Sequence, residues 1–194
     1  RAHTLASATP APADSTPIEI VALPGAPRAT GKSAKPNTTI VSRGAQGRPD
    51  YAALVGRDQL DAEKKCLAQA IYFESRSEPE DGQAAVAQVI LNRVGSGLYP
   101  KTICGVVFQN RHRYKACQFS FTCEGKSLRV TDQASWSTAT RIADEVLDGK
   151  TWLADVGSST HYHANYVRPR WARHLKKMDV IGKHIFYRLK PGQT

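Results

Sequence analysis

The chain has 194 residues and a formal net charge of +10. That length suits one domain with a tail, and no stretch approaches the roughly 20 apolar residues of a membrane-spanning helix. The basic balance favours a polyanionic partner such as nucleic acid, anionic lipid or bacterial cell wall, but no Lys/Arg run with interleaved aromatics marks a nucleic-acid module.

Residues 1–57 hold seven of the eleven prolines and no aromatic except Tyr51. Segments such as "ATPAPADSTP" bury too little apolar surface to offset chain entropy, so 1–57 is expected to be a disordered Pro/Ala-rich tether, dispensable for activity. "IEIVAL" is its one alternative feature, a short docking motif. The chain starts with Arg rather than Met, which leaves room for a signal peptide or membrane anchor upstream. Residues 58–194 carry every Trp, Phe and Cys, and are expected to fold as one compact domain. The tail has seven Lys/Arg against three Asp/Glu, and the domain twenty against fourteen.

In chain order, Asp58 is placed to cap a helix running to about Ser75, with Leu60, Leu67 and Ile71 near one stripe. Pro79 ends that element or opens the next. A second helix, about Glu80 to Val94, sets Val86, Val89, Ile90 and Val94 on one face, with small Ala84, Ala85 and Ala87 for close packing. "GSGLYP" reads as a turn and "KTICGVVFQ" as a short helix. "CQFSFTCEGKSL" reads as a loop with aromatic anchors. Asp132 can cap a fourth helix to about Leu147. "SSTHYHANYV" and "GKHIFYR" are rich in aromatic and β-branched residues and suggest a small β element. The fold class is therefore α+β, mostly helical with a minor sheet.

Four cysteines, Cys66, Cys104, Cys117 and Cys123, lack the paired spacing of a zinc site. Two disulfides are expected. Cys117 and Cys123 are near enough to close a small loop, which would leave Cys66 with Cys104, but spacing does not fix the connectivity.

The chemistry centres on "IYFESRSEPEDGQAAVAQVILNRV". Glu74 follows Ile71-Tyr72-Phe73, and a carboxyl beside apolar walls is held protonated more readily, as a general acid requires. A lone helical Glu is more often a surface residue paired with a cation, here Arg76 or a Lys. Glu78 lies on the same face only if the helix persists past Glu74, and Arg76 could hold it ionised. Gln83 and Asn92 can donate to and accept from sugar amides, though each is also an ordinary helix-surface residue type. Gln118, in the cysteine loop, is a further candidate of this kind. Tyr72, Tyr162, Tyr166 and Trp171 are candidates for a sugar-stacking wall or, equally, for core.

"YFESRSEPEDGQAAVAQVILNRV", "YPKTICGVVFQ", "CQFSFTC" and "IGKHIFYR", in that order over about Cys66 to Arg188, resemble the SleB/CwlJ-type cell wall hydrolases. The resemblance implies a lysozyme-like fold related to lytic transglycosylases, peptidoglycan as substrate, no cofactor or metal, and Glu74 as the catalytic acid. The family often has Glu-Ala-Arg-Gly-Glu where this chain has "ESRSE". "HYHANYVRPRW" resembles the Gram-negative form, which implies the periplasm or cell envelope. A monomer is expected. One reading is a muramidase cutting the MurNAc–GlcNAc β-1,4 bond as a lytic transglycosylase. A hydrolytic muramidase would add a second carboxylate. A zinc amidase or peptidase would use His161, His163 and His174, and a non-catalytic wall-binding protein would use none of these groups.

Overall fold

The computed structural model describes residues 48–114, 117–125 and 127–193. The expectations for 1–47, including the "IEIVAL" motif, lie outside the described residues. Among the described residues, four α-helices and three strands follow in chain order: α1 (Leu60–Ser75), α2 (Glu80–Ser96), α3 (Ile103–Val107), α4 (Gln133–Leu147), β1 (His161–Ala164), β2 (Lys176–Ile181) and β3 (His184–Arg188). The fold is α+β and mostly helical, as the sequence pattern implies. Among the described residues no helix is long and apolar enough to cross a membrane.

α1 is the hub, packed against α2, α3 and α4. Its inner positions Leu67, Ala70, Ile71 and Tyr72 are fully buried. α2 is buried nearly all round, which explains its run of Ala and Val: small side chains let three neighbours approach it closely. Gly97, with φ +75°, ends α2 in the left-handed region that glycine adopts without strain. Asp132 caps α4 as expected, its carboxylate accepting the Ser135 N–H at 3.0 Å. The cap expected at Asp58 does not form. Asp58 lies inside a 3-10 turn, Arg57–Gln59, that leads into α1, and Gln59 at the N-cap makes no side-chain bond.

The sheet order is β1-β3-β2, antiparallel throughout. Period-2 alternation splits its two faces. Tyr162 and Phe186, paired across β1 and β3, belong to the helical core. His161, His163 and Tyr187 lie on the opposite face, where Trp171 covers them with ring centroids 5.3–5.5 Å away.

The disulfides are Cys66–Cys104, joining α1 to α3, and Cys117–Cys123, closing a short loop. A buried carboxylate, Glu63, reinforces the first junction by accepting the N–H groups of Ile103 (2.5 Å) and Cys104 (3.1 Å) at the start of α3.

The expected boundary at residue 58 is too late. Tyr51 is 2% exposed, its hydroxyl donates to Asn92 Oδ1 at 2.6 Å, and Leu54 and Val55 pack on the same core. One buried aromatic with its hydrogen bond contributes about 3 kcal/mol. A chain starting at 58 is therefore expected to unfold at clearly lower urea than one starting at 48. Equal midpoints would show that Tyr51 is not part of the cooperative unit.

Candidate functional site

α1 stops at Ser75, and the Glu78 N–H turns back to the Ser75 carbonyl at 2.8 Å before Pro79 leads into α2. Glu74 is therefore in the last turn of α1, half-buried, at the junction of two helices. Phe73 beside it stacks on Phe121 at 5.0 Å, and Tyr72 meets Phe73 edge-on at 4.9 Å. Phe121 comes from the loop that Cys117–Cys123 closes, so the disulfide loop packs on Phe73, the residue before Glu74.

Because α1 ends before it, Glu78 is not a helical neighbour of Glu74. Its carboxylate accepts the Lys183 N–H at 2.8 Å, in the β2–β3 turn. Gly182 has φ +56°, and a Cβ there would collide with that carboxylate. Glycine is thus needed twice over, for the backbone and for the docked Glu78. Arg76 does not reach across to Glu78 as expected; its guanidinium sits over the Tyr72 ring, 4.8 Å from the centroid.

Tyr162 lies within electrostatic reach of Glu74. Burial, and then the nearby Glu74 carboxylate, push the Tyr162 phenol well above its ordinary value. Its hydroxyl is buried with no hydrogen-bond partner among the described residues. The Tyr162 ring packs 5.0 Å from His184, and the Glu78 carboxylate is among the charges that act on that imidazole.

The other candidates divide. Tyr72 is fully buried, and its hydroxyl accepts the N–H groups of Thr131 and Asp132, tying α1 to the start of α4. Asn92 bridges structure: its amide donates to the Gly157 and Ser159 carbonyls while its oxygen accepts from Tyr51. Gln83 donates to the Glu78 carbonyl, and its buried Oε1 has no partner among the described residues. Gln118 is buried in the cysteine loop. Tyr166 is 58% exposed, and Trp171 covers the sheet face away from Tyr162. The four aromatics therefore do not form the single stacking wall expected of them: their strand positions and burial set them on different surfaces.

The histidines do not converge as zinc ligands. His163 bonds Tyr187 Oη at 2.9 Å and the Ala164 carbonyl at 2.8 Å. His174 is exposed beside Arg173. Among the described residues no group of three His, Cys, Asp or Glu is arranged to hold a metal ion.

Arg93 was not singled out by sequence pattern. It is 2% exposed, its Nε donates to the Thr160 carbonyl at 2.7 Å, and its guanidinium lies over Tyr99 and Phe119. An Arg in the middle of an otherwise apolar helix face was the available signal. Burial, and then this cation, push His161 down to about 3. The folded state excludes the charged imidazole, so its contribution is complete above the ordinary pKa of 6.5 and is lost as pH falls towards 3. On acidification to pH 4 the domain should lose on the order of 3 kcal/mol from this group. His161→Gln should flatten that part of the profile. An unchanged stability-versus-pH curve would count against the assignment.

The family described as Cell Wall Hydrolase matches residues 77–187, a stretch that begins three residues after Glu74. The chain is 34% identical over 142 residues to a spore cortex-lytic enzyme of Oceanobacillus iheyensis, covering 72% of this chain and 46% of that one. It is 30% identical over 122 residues to the spore cortex-lytic enzyme of Bacillus subtilis, covering 63% and 36%. The aligned stretch thus spans less than half of either relative. Among solved structures, the catalytic domain of Bacillus cereus SleB aligns at 32% identity with TM-score 0.55, covering 70% of this chain and 96% of that domain. The catalytic domain of the germination-specific lytic transglycosylase SleB of Bacillus anthracis aligns with the same identity and TM-score over 69% of this chain and 100% of that one.

Proposed function

Because this chain belongs to the cell wall hydrolase family, we propose that it cleaves the MurNAc–GlcNAc β-1,4 bond of peptidoglycan as a lytic transglycosylase, with Glu74 as its one acid and base. Glu74 donates its proton to the bridging oxygen as the C1–O bond breaks. The C6 hydroxyl of the same sugar then bonds to C1, and its proton returns to Glu74. The products are a 1,6-anhydro end and a free hydroxyl, with no water consumed.

The observation that carries this reading over hydrolysis is Glu78. A hydrolytic muramidase needs a second carboxylate to guide water. Glu78 is the nearest in sequence, but its carboxylate is docked on the Lys183 N–H, where it positions the β2–β3 turn. Tyr162 and Gln83, both buried, are assigned to the packing behind Glu74. The two disulfides and the family's wall substrate support a location outside the cytoplasm, which we read as the periplasm or cell envelope. Mass spectrometry of muropeptides tests the reaction directly. Anhydro-muropeptides should dominate, and reducing ends without the anhydro product would establish hydrolysis instead.

A further inference from the structure

We infer that a basic face built from the 3-10 turn Arg170–His174 and the β2–β3 hairpin holds the carboxylates of peptidoglycan's peptide stems. This rests on the wall-cleaving reading above and adds the part of the substrate that the sugar cleft does not contact.

The positive charge of the folded part is not spread out. Residues 48–164 contain fourteen Lys/Arg and fourteen Asp/Glu, whereas 165–190 contain eight Lys/Arg and the single acid Asp179. The surplus therefore belongs to one segment, and the fold keeps that segment together. The 3-10 turn packs on β2, and β2 is an edge strand in which Lys176 lies opposite Arg188 of β3. Arg168, Arg170, Arg173, Lys176 and Lys177 are all exposed. Among the described residues none of the segment's cations is in an ion pair, and Asp179 turns its carboxylate to the Val180 N–H. The buried Nε1 of Trp171 and Nε of Arg188 also find no acceptor among the described residues, while Arg173 Nε donates to the neutral acceptor His174 Nε2 at 3.1 Å.

Lysines on an edge strand guard against strand pairing with another chain. That accounts for Lys176 and Lys177. It does not account for three arginines in and before a turn that has no strand edge to protect. Like charges this close repel, and an anionic partner offsets that cost.

Position selects the partner. The hairpin turn is hooked to the α1–α2 junction by the Lys183 N–H on Glu78, and Ile181 lies against the α2 backbone at Gly82. The basic face is thus continuous with the elements that carry Glu74. A glycan strand crossing the site would extend its peptide stems sideways, and their carboxylates suit the two-pronged geometry of guanidinium groups. A lipid-binding face would need an apolar wedge. Here only Tyr166 and Val180 are large and exposed.

The test compares binding of the full 194-residue chain to sacculi freed of other anionic polymers and fixed to beads through their glycan hydroxyls, intact or with the stems removed by an amidase and the lactyl carboxylates so exposed capped as amides, so that both forms stay on the solid phase. Binding should be tighter to intact sacculi and weaken with salt. Arg168→Gln/Arg170→Gln/Arg173→Gln should weaken binding to intact sacculi about tenfold and bind stripped glycan like the parent chain. The matching Arg→Lys triple should recover most of the loss, and melting curves confirm that both variants fold. Equal binding to intact and stripped sacculi overturns the inference. So does a Gln triple that binds intact sacculi normally, or one whose only loss is on anionic phospholipid vesicles. Muropeptide analysis of the same digests reports the cleavage reading separately: stem-dependent binding without anhydro products would retain this face and reject that reaction.

Discussion

A Glu74→Gln chain is expected to fold like the parent, still sediment with sacculi, and lose about 10²-fold or more of its turnover. Gln keeps the shape and much of the hydrogen bonding of Glu but has no transferable proton. The position explains why the loss should be large. Glu74 lies in the last turn of α1 at a helix junction, next in sequence to Phe73, which stacks on Phe121, and within electrostatic reach of the buried Tyr162. Water is partly excluded there, and a proton relay through solvent cannot easily replace the carboxyl. Glu78→Gln should behave differently. It weakens the Lys183 contact and loosens the hairpin, so its cost should appear in thermal stability and only modestly in turnover. The contrast separates a single-acid reaction from a two-carboxylate one. A folded Glu74→Gln chain with near-normal release of muropeptides would refute the assignment of Glu74. Equal loss from both changes would favour hydrolysis.

Much of the helical frame was legible because its signals are local. The 3.6-residue stripe of α4 and the Asp132 cap with Ser135 three residues on are readable in any short window. The misplaced start of α1 has a local cause too: a 3-10 turn precedes the helix, and Asp58 in that turn resembles a cap without forming one. Tyr51 was lost in the tail because one aromatic cannot shift the composition of a Pro-rich window, while its hydrogen bond to Asn92 spans 41 residues. The same bond removed Asn92 from the candidate sugar contacts. At the candidate site, the proposal of Glu74 rests on its own sequence neighbours. Its link to Tyr162 and the docking of Glu78 were not, since both depend on where β1 and the β2–β3 turn come to rest. A strand order of β1-β3-β2 is a long-range outcome, and alternation alone could not say that Tyr162 and Trp171 would lie on opposite faces.

The two disulfides are expected to fail in different ways when removed. Cys66–Cys104 spans 38 residues and Cys117–Cys123 spans 6. If cross-links act mainly by restricting the unfolded chain, the first contributes about 4 kcal/mol and the second about 2 kcal/mol. Cys66→Ala/Cys104→Ala should therefore lower Tm by roughly 10 °C or more. Glu63 remains on the Ile103 and Cys104 N–H groups, so α3 should stay docked and the folded fraction should keep its turnover. Cys117→Ala/Cys123→Ala should shift Tm less, yet lower turnover by about tenfold. Its loop carries Phe121, which stacks on Phe73 next to Glu74, and Phe119, whose ring lies under the Arg93 guanidinium. Releasing the loop removes the fixed wall against which a sugar would be oriented. Thermal melts and initial rates on sacculi, measured for both double variants, test the division. The opposite ranking in Tm would show that native-state packing, not loop entropy, sets the stability. Full turnover without Cys117–Cys123 would show that Phe121 holds its place through the aromatic stack alone.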